Sequence, residues 1–361
     1  MDTASGEAMP DELNPRHLGR RLLELAAIVG VVVALLLVGP GLGSLRSRLK
    51  DASGGWLAAA VGLELLSALS YVVVFRAVFC PRMTWRLSYQ IGMSEQAANS
   101  LLPAGGAGGL ALGAWALRRG GMSAEHIGRR TVAFFLLTSL ANVATLILFA
   151  AAFAVGILEG DTAPGLTYGF AAAGVVATAV TLTLPVLVAH ADAPASGAAS
   201  SGRIRTAARE IRDAIGNGVR DAVALLRQRS IGVLAGSIGY MAFDIAVLGV
   251  CFRAFGAAPS LGVLVVAYLI GQLGGLLPLP GGIGGIEGGL IGAFVLYHTP
   301  LAATTVAVLA YRAFALWIPA LLGSVAFVQL RGTLRRRAEP ALMCQPLADP
   351  IEPVHARAVA G

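Results

Sequence analysis

Long apolar runs, and not short alternations, set the pattern of this chain. Leu22–Pro40, Trp56–Phe79, Thr131–Leu158, Leu166–Ala189, Ile231–Phe252 and Leu301–Leu330 are apolar almost throughout. Each is long enough as a helix to cross a bilayer core, which takes about 17–25 residues. Two further apolar stretches are broken in the middle. Ser88–Leu102 and Gly105–Leu117 flank Leu101-Leu102-Pro103-Ala104-Gly105-Gly106-Ala107-Gly108-Gly109. Leu261–Leu277 and Ile286–His298 flank Leu276-Leu277-Pro278-Leu279-Pro280-Gly281-Gly282-Ile283-Gly284-Gly285.

Proline removes a backbone donor and clashes with the preceding turn, and glycine has little helix propensity. The second arm of each broken stretch holds 13 residues, about 20 Å of helix at 1.5 Å per residue. That is short of a hydrocarbon core of about 30 Å. The pattern therefore predicts an all-α polytopic membrane protein with six full transmembrane helices and two re-entrant helical hairpins. Pro103, Gly105 and Gly106 would form one hairpin tip, and Pro278, Pro280, Gly281 and Gly282 the other.

Polar segments divide the rest. Residues 1–21 read as a polar leader and 22–330 as the transmembrane domain. Residues 190–230 form a basic loop with an amphipathic helix carrying Arg203, Arg205, Arg209, Arg212, Arg220, Arg227 and Arg229. Residues 331–361 read as a basic tail. The first run lacks a small-residue cleavage site behind it, so it is expected to stay as a span.

Composition sharpens this picture. Hydrophobic residues make up 56% and charged residues 13% of 361, against about 25% charged in soluble domains. The net charge is +7, and Lys50 is the sole lysine. Arginines gather in loops beside the apolar runs, which points to membrane orientation and anionic lipid, not to nucleic acid. The basic segments at 118–130, 190–230 and the C-terminus are expected in the cytoplasm, and the loops at 159–165 and 254–260 outside. Both termini then lie inside. Arg46, Arg48 and Lys50 run against this assignment, because their loop would face outward.

The orientations predict a repeat. A unit at about 56–158 and another at about 231–330 each read span, hairpin, span, with opposite directions. Trp56 and Ile231 differ by 231 − 56 = 175, as do Pro103 and Pro278 (278 − 103 = 175). An inverted repeat with discontinuous helices is a pointer to a transporter site near the bilayer midplane.

Ionisable residues inside spans are functional candidates because they cost at least about 2.5 kcal/mol each at mid-bilayer. Glu287 follows the second glycine cluster at the start of a short helix, where the helix dipole favours a carboxylate. Arg312 in Tyr311-Arg312 is its expected partner. The pair either contacts substrate or holds the hairpin to the last span. Glu64 and Asp244 stand at similar depths in equivalent spans, either as proton- or cation-coupling carboxylates or as buried hydrogen-bonding groups. Glu95 and Asn99, four apart on one helix face, either line the same cavity or satisfy broken backbone. Cys80, Cys251 and Cys344 are scattered, so neither a disulfide framework nor a metal site is expected, and no cofactor fingerprint is present.

These motifs resemble the lysylphosphatidylglycerol synthase transmembrane-region family. The resemblance rests on Asn99-Ser100-Leu101-Leu102-Pro103, on Pro278 through Gly288 with Glu287, and on Tyr311-Arg312 with Trp317-Ile318-Pro319. It covers about residues 20–330 and implies a flippase-like domain in a bacterial cytoplasmic membrane, acting on a phospholipid. Glu287, Arg312 and Tyr311 carry over as headgroup candidates. Members often carry a charged pair after the first glycines, where this chain reads Ala107-Gly108-Gly109-Leu110. The residues after 330 are expected to be too few for the soluble aminoacyl-transferase domain of the bifunctional members. The expectation is a non-enzymatic lipid flippase or transporter. The alternative is a membrane scaffold or regulator of envelope lipid synthesis, with a cytoplasmic partner docking at 190–230.

Overall fold

A computed structural model describes residues 53–102, 107–158, 164–165, 167–176, 179, 202–276 and 282–336. The predicted span at 22–40 and the tip residues Pro103, Gly105, Gly106, Pro278, Pro280 and Gly281 lie outside the described residues, as does the chain beyond 336. Every regular element described is helical.

The first unit is α1 (Gly54–Phe79), α2 (Trp85–Leu101), α3 (Ala107–Arg119) and α4 (Ala124–Ala154). A short apolar helix, α5 (Thr167–Val176), follows. The amphipathic α6 (Gly202–Arg227) leads into the second unit. That unit is α7 (Ile231–Ala254), α8 (Leu261–Gly271) with a 3-10 extension at Gln272–Leu276, α9 (Gly285–Leu296) and α10 (Leu301–Arg336). Of these, α1, α4, α7 and α10 are long and apolar enough to cross a membrane. The helices α2–α3 and α8–α9 occupy the two predicted hairpins, with second arms of 13 and 12 residues.

Corresponding helices keep one spacing. Their starts differ by 231 − 54 = 177, 261 − 85 = 176, 285 − 107 = 178 and 301 − 124 = 177. The first helices of the two units run antiparallel. The Ser53 N–H donates to the Ala254 carbonyl at 3.0 Å, and Ser67 Oγ donates to the Tyr240 carbonyl at 3.2 Å. Gly236 lies against Val74, and Gly232 against Ala77. Equivalent helices in opposite directions make the repeat an inverted one. Its two-fold passes beside Leu65 and Ala242, which satisfy both the pairing register and the offset (242 − 65 = 177).

Lipid tails are as apolar as leucine, so close backbone approach, and not water exclusion, holds such helices together. A Cβ at Gly236 would run into the Val74 backbone, and one at Gly323 on α10 would strike the Met93 carbonyl on α2. Two large apolar cores result, beside a small third cluster of Ala68, Val72, Met93 and Ala326. One surrounds the first hairpin with Phe75, Ile91, Leu112 and Phe327; the other surrounds the second with Phe252, Val266, Leu290 and Phe294.

Two helix boundaries and one cysteine differ from the sequence expectation. The helix α4 starts at Ala124, so Arg129 and Arg130 are helical and not in a loop. Ser123 caps that start by accepting the His126 N–H at 3.2 Å, a sequence signal that the charge pattern overrode. The last helix continues through Arg331 and Arg335 to Arg336, since arginine is a good helix former and Gly332 alone does not end it. Cys80 is disulfide-bonded, which scattered spacing along the chain gave no means of anticipating.

Candidate functional site

Between the two apolar cores lies a cavity of about 290 Å³. It draws on both units: Glu64 and Ser67 from α1, Gln96, Asn99 and Ser100 from α2, Tyr240 and Asp244 from α7, Gln272 after α8, and Tyr311, Arg312 and Pro319 from α10. Gly282, the one predicted tip residue within the described chain, lines it too, with a φ of 67°. Polar residues so dense in an apolar bundle are what a broken-helix binding site requires.

Glu287 and Arg312 are joined as predicted. Arg312 Nε donates to Glu287 Oε1 at 2.8 Å, with both side chains largely buried. The other carboxylate oxygen accepts the Gly284 N–H at 2.6 Å. Gly284 precedes α9 at a φ of 86°, a conformation that side-chain-bearing residues resist. The glycine run thus turns the chain so that a freed backbone donor meets Glu287 within the first turn of α9. There the carboxylate also gains from the helix dipole. Arg312 reaches from this pair into the cavity.

Asp244 is the hub of a second network. Tyr311 Oη donates to Asp244 Oδ2 at 2.8 Å, Tyr268 Oη donates to the same oxygen, and Gln272 Nε2 donates to Tyr311 Oη at 3.2 Å. Glu64 lies across the cavity, close enough for the two carboxylates to repel one another and for Arg312 to attract both. Glu64 Oε2 is buried without a hydrogen-bond partner. Pro319, inside α10, cannot donate to the carbonyl of Ala315 four residues earlier. Both residues line the cavity.

The predicted pair Glu95 and Asn99 share a face, and that face meets α3. Asn99 Oδ1 accepts the Gly109 N–H at 2.9 Å, and Gly113 backs directly onto the Glu95 carboxylate. Asn99 also reaches the cavity. Glu95 does not line it; its Oε2 accepts from Tyr71 Oη at 2.9 Å inside the first core. Gln96 and Ser100, one position on from each, face the cavity instead.

Sequence reasoning passed over Tyr268, Tyr240, Gln272 and Ser67. Tyr268 and Gln272 carried a usable signal, since they are the polar positions of an otherwise apolar arm and stand four apart. The basic helix α6 is partly accounted for within the chain. Val219 and Ala222 are buried, Gly218 sits against Val132 on α4, and Asp221 Oδ2 lies 3.4 Å from Arg129 Nε and 3.3 Å from Arg130 Nε.

Comparison with known proteins gives two matches. A family model described as the lysylphosphatidylglycerol synthase TM region matches residues 22–323. A UPF0104 membrane protein of Methanothermobacter thermautotrophicus is 44% identical over 61 residues, 17% of this chain and 17% of the relative. The similar stretch thus spans less than a fifth of that relative.

Proposed function

The chain belongs to the lysylphosphatidylglycerol synthase transmembrane-region family, and on that premise we propose that it moves a phospholipid or lipid-linked headgroup between leaflets. The observation that carries this reading is the polar cavity between the hairpins of an inverted repeat. A headgroup enters the cavity while its acyl chains stay in the bilayer. Arg312 receives the anionic part, because a guanidinium suits bidentate phosphate recognition. Glu287 holds Arg312 in position between substrates. Tyr311 links the Arg312 position to Asp244, and Glu64 faces Asp244 as a second carboxylate for coupling to a proton or cation.

No bond is made or broken in this scheme, so the protein acts as a transporter and not as an enzyme. We assign the basic face, with α6 and the end of α10, to the cytoplasm from the distribution of arginines, in keeping with the expectation of both termini inside. A second reading, a scaffold of envelope lipid synthesis, draws on Arg220 and Arg227, exposed on α6, as part of a docking surface for a cytoplasmic protein.

Reconstitution into liposomes with headgroup-labelled phospholipids tests the two readings. The wild-type protein should accelerate transbilayer movement, and the double variant Glu287→Gln/Arg312→Gln should lose most of that acceleration. Equal movement with wild type, double variant and empty liposomes removes the transport reading and leaves the scaffold.

A further inference from the structure

A second cavity, of about 400 Å³, opens where the start of α2 meets the end of α10. Thr84, Arg86 and Gln90 line it from α2, and Gln329 and Thr333 from α10. Gln90 is 0% exposed, yet neither its Oε1 nor its Nε2 has a hydrogen-bond partner. A buried amide left unmade on both sides is destabilising, so a chain that keeps one there points to a ligand that completes it.

The position fits the bilayer surface at the basic end of the molecule. Trp85 is 56% exposed beside this cavity, and the Arg76 guanidinium stacks 4.4 Å from its ring centroid. Exposed tryptophan and arginine mark the headgroup level. Thr84 caps α2 by accepting from the Leu87 N–H, so the positive end of the helix dipole adds to Arg86 there. On α10, Leu321 and Val325 are exposed and lie at i−8 and i−4 from Gln329, one strip of surface running from the cavity towards the membrane interior.

We propose that this cavity seats the phosphate-bearing headgroup of a phospholipid from the leaflet at the basic face, with an acyl chain along Leu321 and Val325. Arg86 pairs with the phosphate, and Gln90 supplies both a donor and an acceptor to the headgroup. The hydroxyl of Thr333 and the amide of Gln329 close the other side. The same α2–α10 seam continues to the central cavity, where it supplies Gln96, Asn99, Tyr311 and Arg312. Gly323 against the Met93 carbonyl closes the seam between the two cavities. A role as loading station for the central cavity rests on the transport reading, whereas headgroup binding does not.

Proteoliposomes of phosphatidylcholine containing a headgroup-photoactivatable phosphatidylglycerol give the test, with cross-links mapped to peptides covering residues 84–90 and 329–333. Cross-linking should be competed by unlabelled phosphatidylglycerol and not by diacylglycerol or inorganic phosphate. Gln90→Leu should weaken apparent affinity about tenfold, the loss of one charge-assisted bond. The leucine is apolar and of similar size, and a melting measurement verifies folding; Thr333→Val on the cavity rim gives an independent reading. Unchanged cross-linking in both variants overturns the site. Equal competition by diacylglycerol reduces it to a chain contact, and displacement by inorganic phosphate makes it a free-anion site, and either result overturns the headgroup assignment. Lost cross-linking with intact lipid movement overturns the loading role alone. Absent lipid movement in wild type, with cross-linking intact, overturns transport and leaves the headgroup site.

Discussion

Glu64 and Asp244 face each other across the antiparallel pair α1–α7, beside the two-fold of the inverted repeat. Their surroundings are not symmetric. Asp244 accepts from Tyr268 and Tyr311, while Glu64 Oε2 has no partner. The repeat equivalents explain the difference: Asp244 answers to Ser67, and Glu64 to Met241, at the 177-residue offset. The two units therefore share a backbone plan but supply different chemistry at the axis.

This asymmetry predicts opposite responses to removing each carboxylate. Asp244→Leu leaves the O–H donors of Tyr268 and Tyr311 without their acceptor and should cost about 2–6 kcal/mol, since each unmade buried group costs about 1–3. Glu64→Leu removes a buried carboxylate whose Oε2 lacks a hydrogen-bond partner and should be neutral or stabilising. Thermal unfolding in detergent micelles measures both. Equal destabilisation by the two substitutions would contradict the assignment of Asp244 as the hub.

The ion pair between Glu287 and Arg312 makes a second prediction. Arg312→Leu strands a largely buried carboxylate and should cost about 3–5 kcal/mol, whereas the double substitution Glu287→Leu/Arg312→Leu should recover most of that loss. A double-mutant cycle on melting temperature reads the coupling. Recovery of stability without recovery of lipid movement separates the pair's contribution to folding from its contribution to transport.

Much of this arrangement was legible in the sequence, for physical reasons that also mark the limit. The spans and the repeat offset are written in run length and in proline and glycine, which act locally. Glu287 with Arg312 was legible because charge is rare in an apolar segment and demands a partner. The cavity residues Tyr240 and Tyr268 were not, because tyrosine sits equally well in an apolar core and shows its hydroxyl only once neighbours are known. Glu95 misled for the reverse reason: a charged side chain beside a helix break suggests a cavity, yet Tyr71 and the gap at Gly113 absorb it within the first hairpin. Which side of α2 faces the cavity depends on rotation about its axis, set by tertiary packing at Gly323 and Met93.

Glycine substitutions test that packing. Gly323→Ala places a methyl group against the Met93 carbonyl and should cost about 1–3 kcal/mol through forced separation of α2 and α10. Gly288→Ala on α9 meets nothing within 4 Å and should be neutral or stabilise by up to about 1 kcal/mol through helix propensity. Melting temperatures of the two variants in one detergent give the comparison. A loss at Gly288 equal to that at Gly323 would mean that helix separation is not what Gly323 controls.

The inverted topology predicts which side of the membrane each hairpin exit reaches. Glu125 and Pro300 stand at the equivalent turns between hairpin and last span, and both are exposed. In a direct repeat these turns would emerge on one side; in an inverted repeat they emerge on opposite sides. Glu125→Cys should therefore react with a membrane-impermeant maleimide only from the face carrying α6, to which Arg129 and Arg130 tie this turn through Asp221. Pro300→Cys should react only from the other face. Sealed vesicles of each orientation give the readout, the unsubstituted protein gives the background from native cysteines, and a permeant maleimide controls for reactivity. Labelling of both positions from the same side would remove the inverted repeat, and with it the symmetry argument for a central transport cavity.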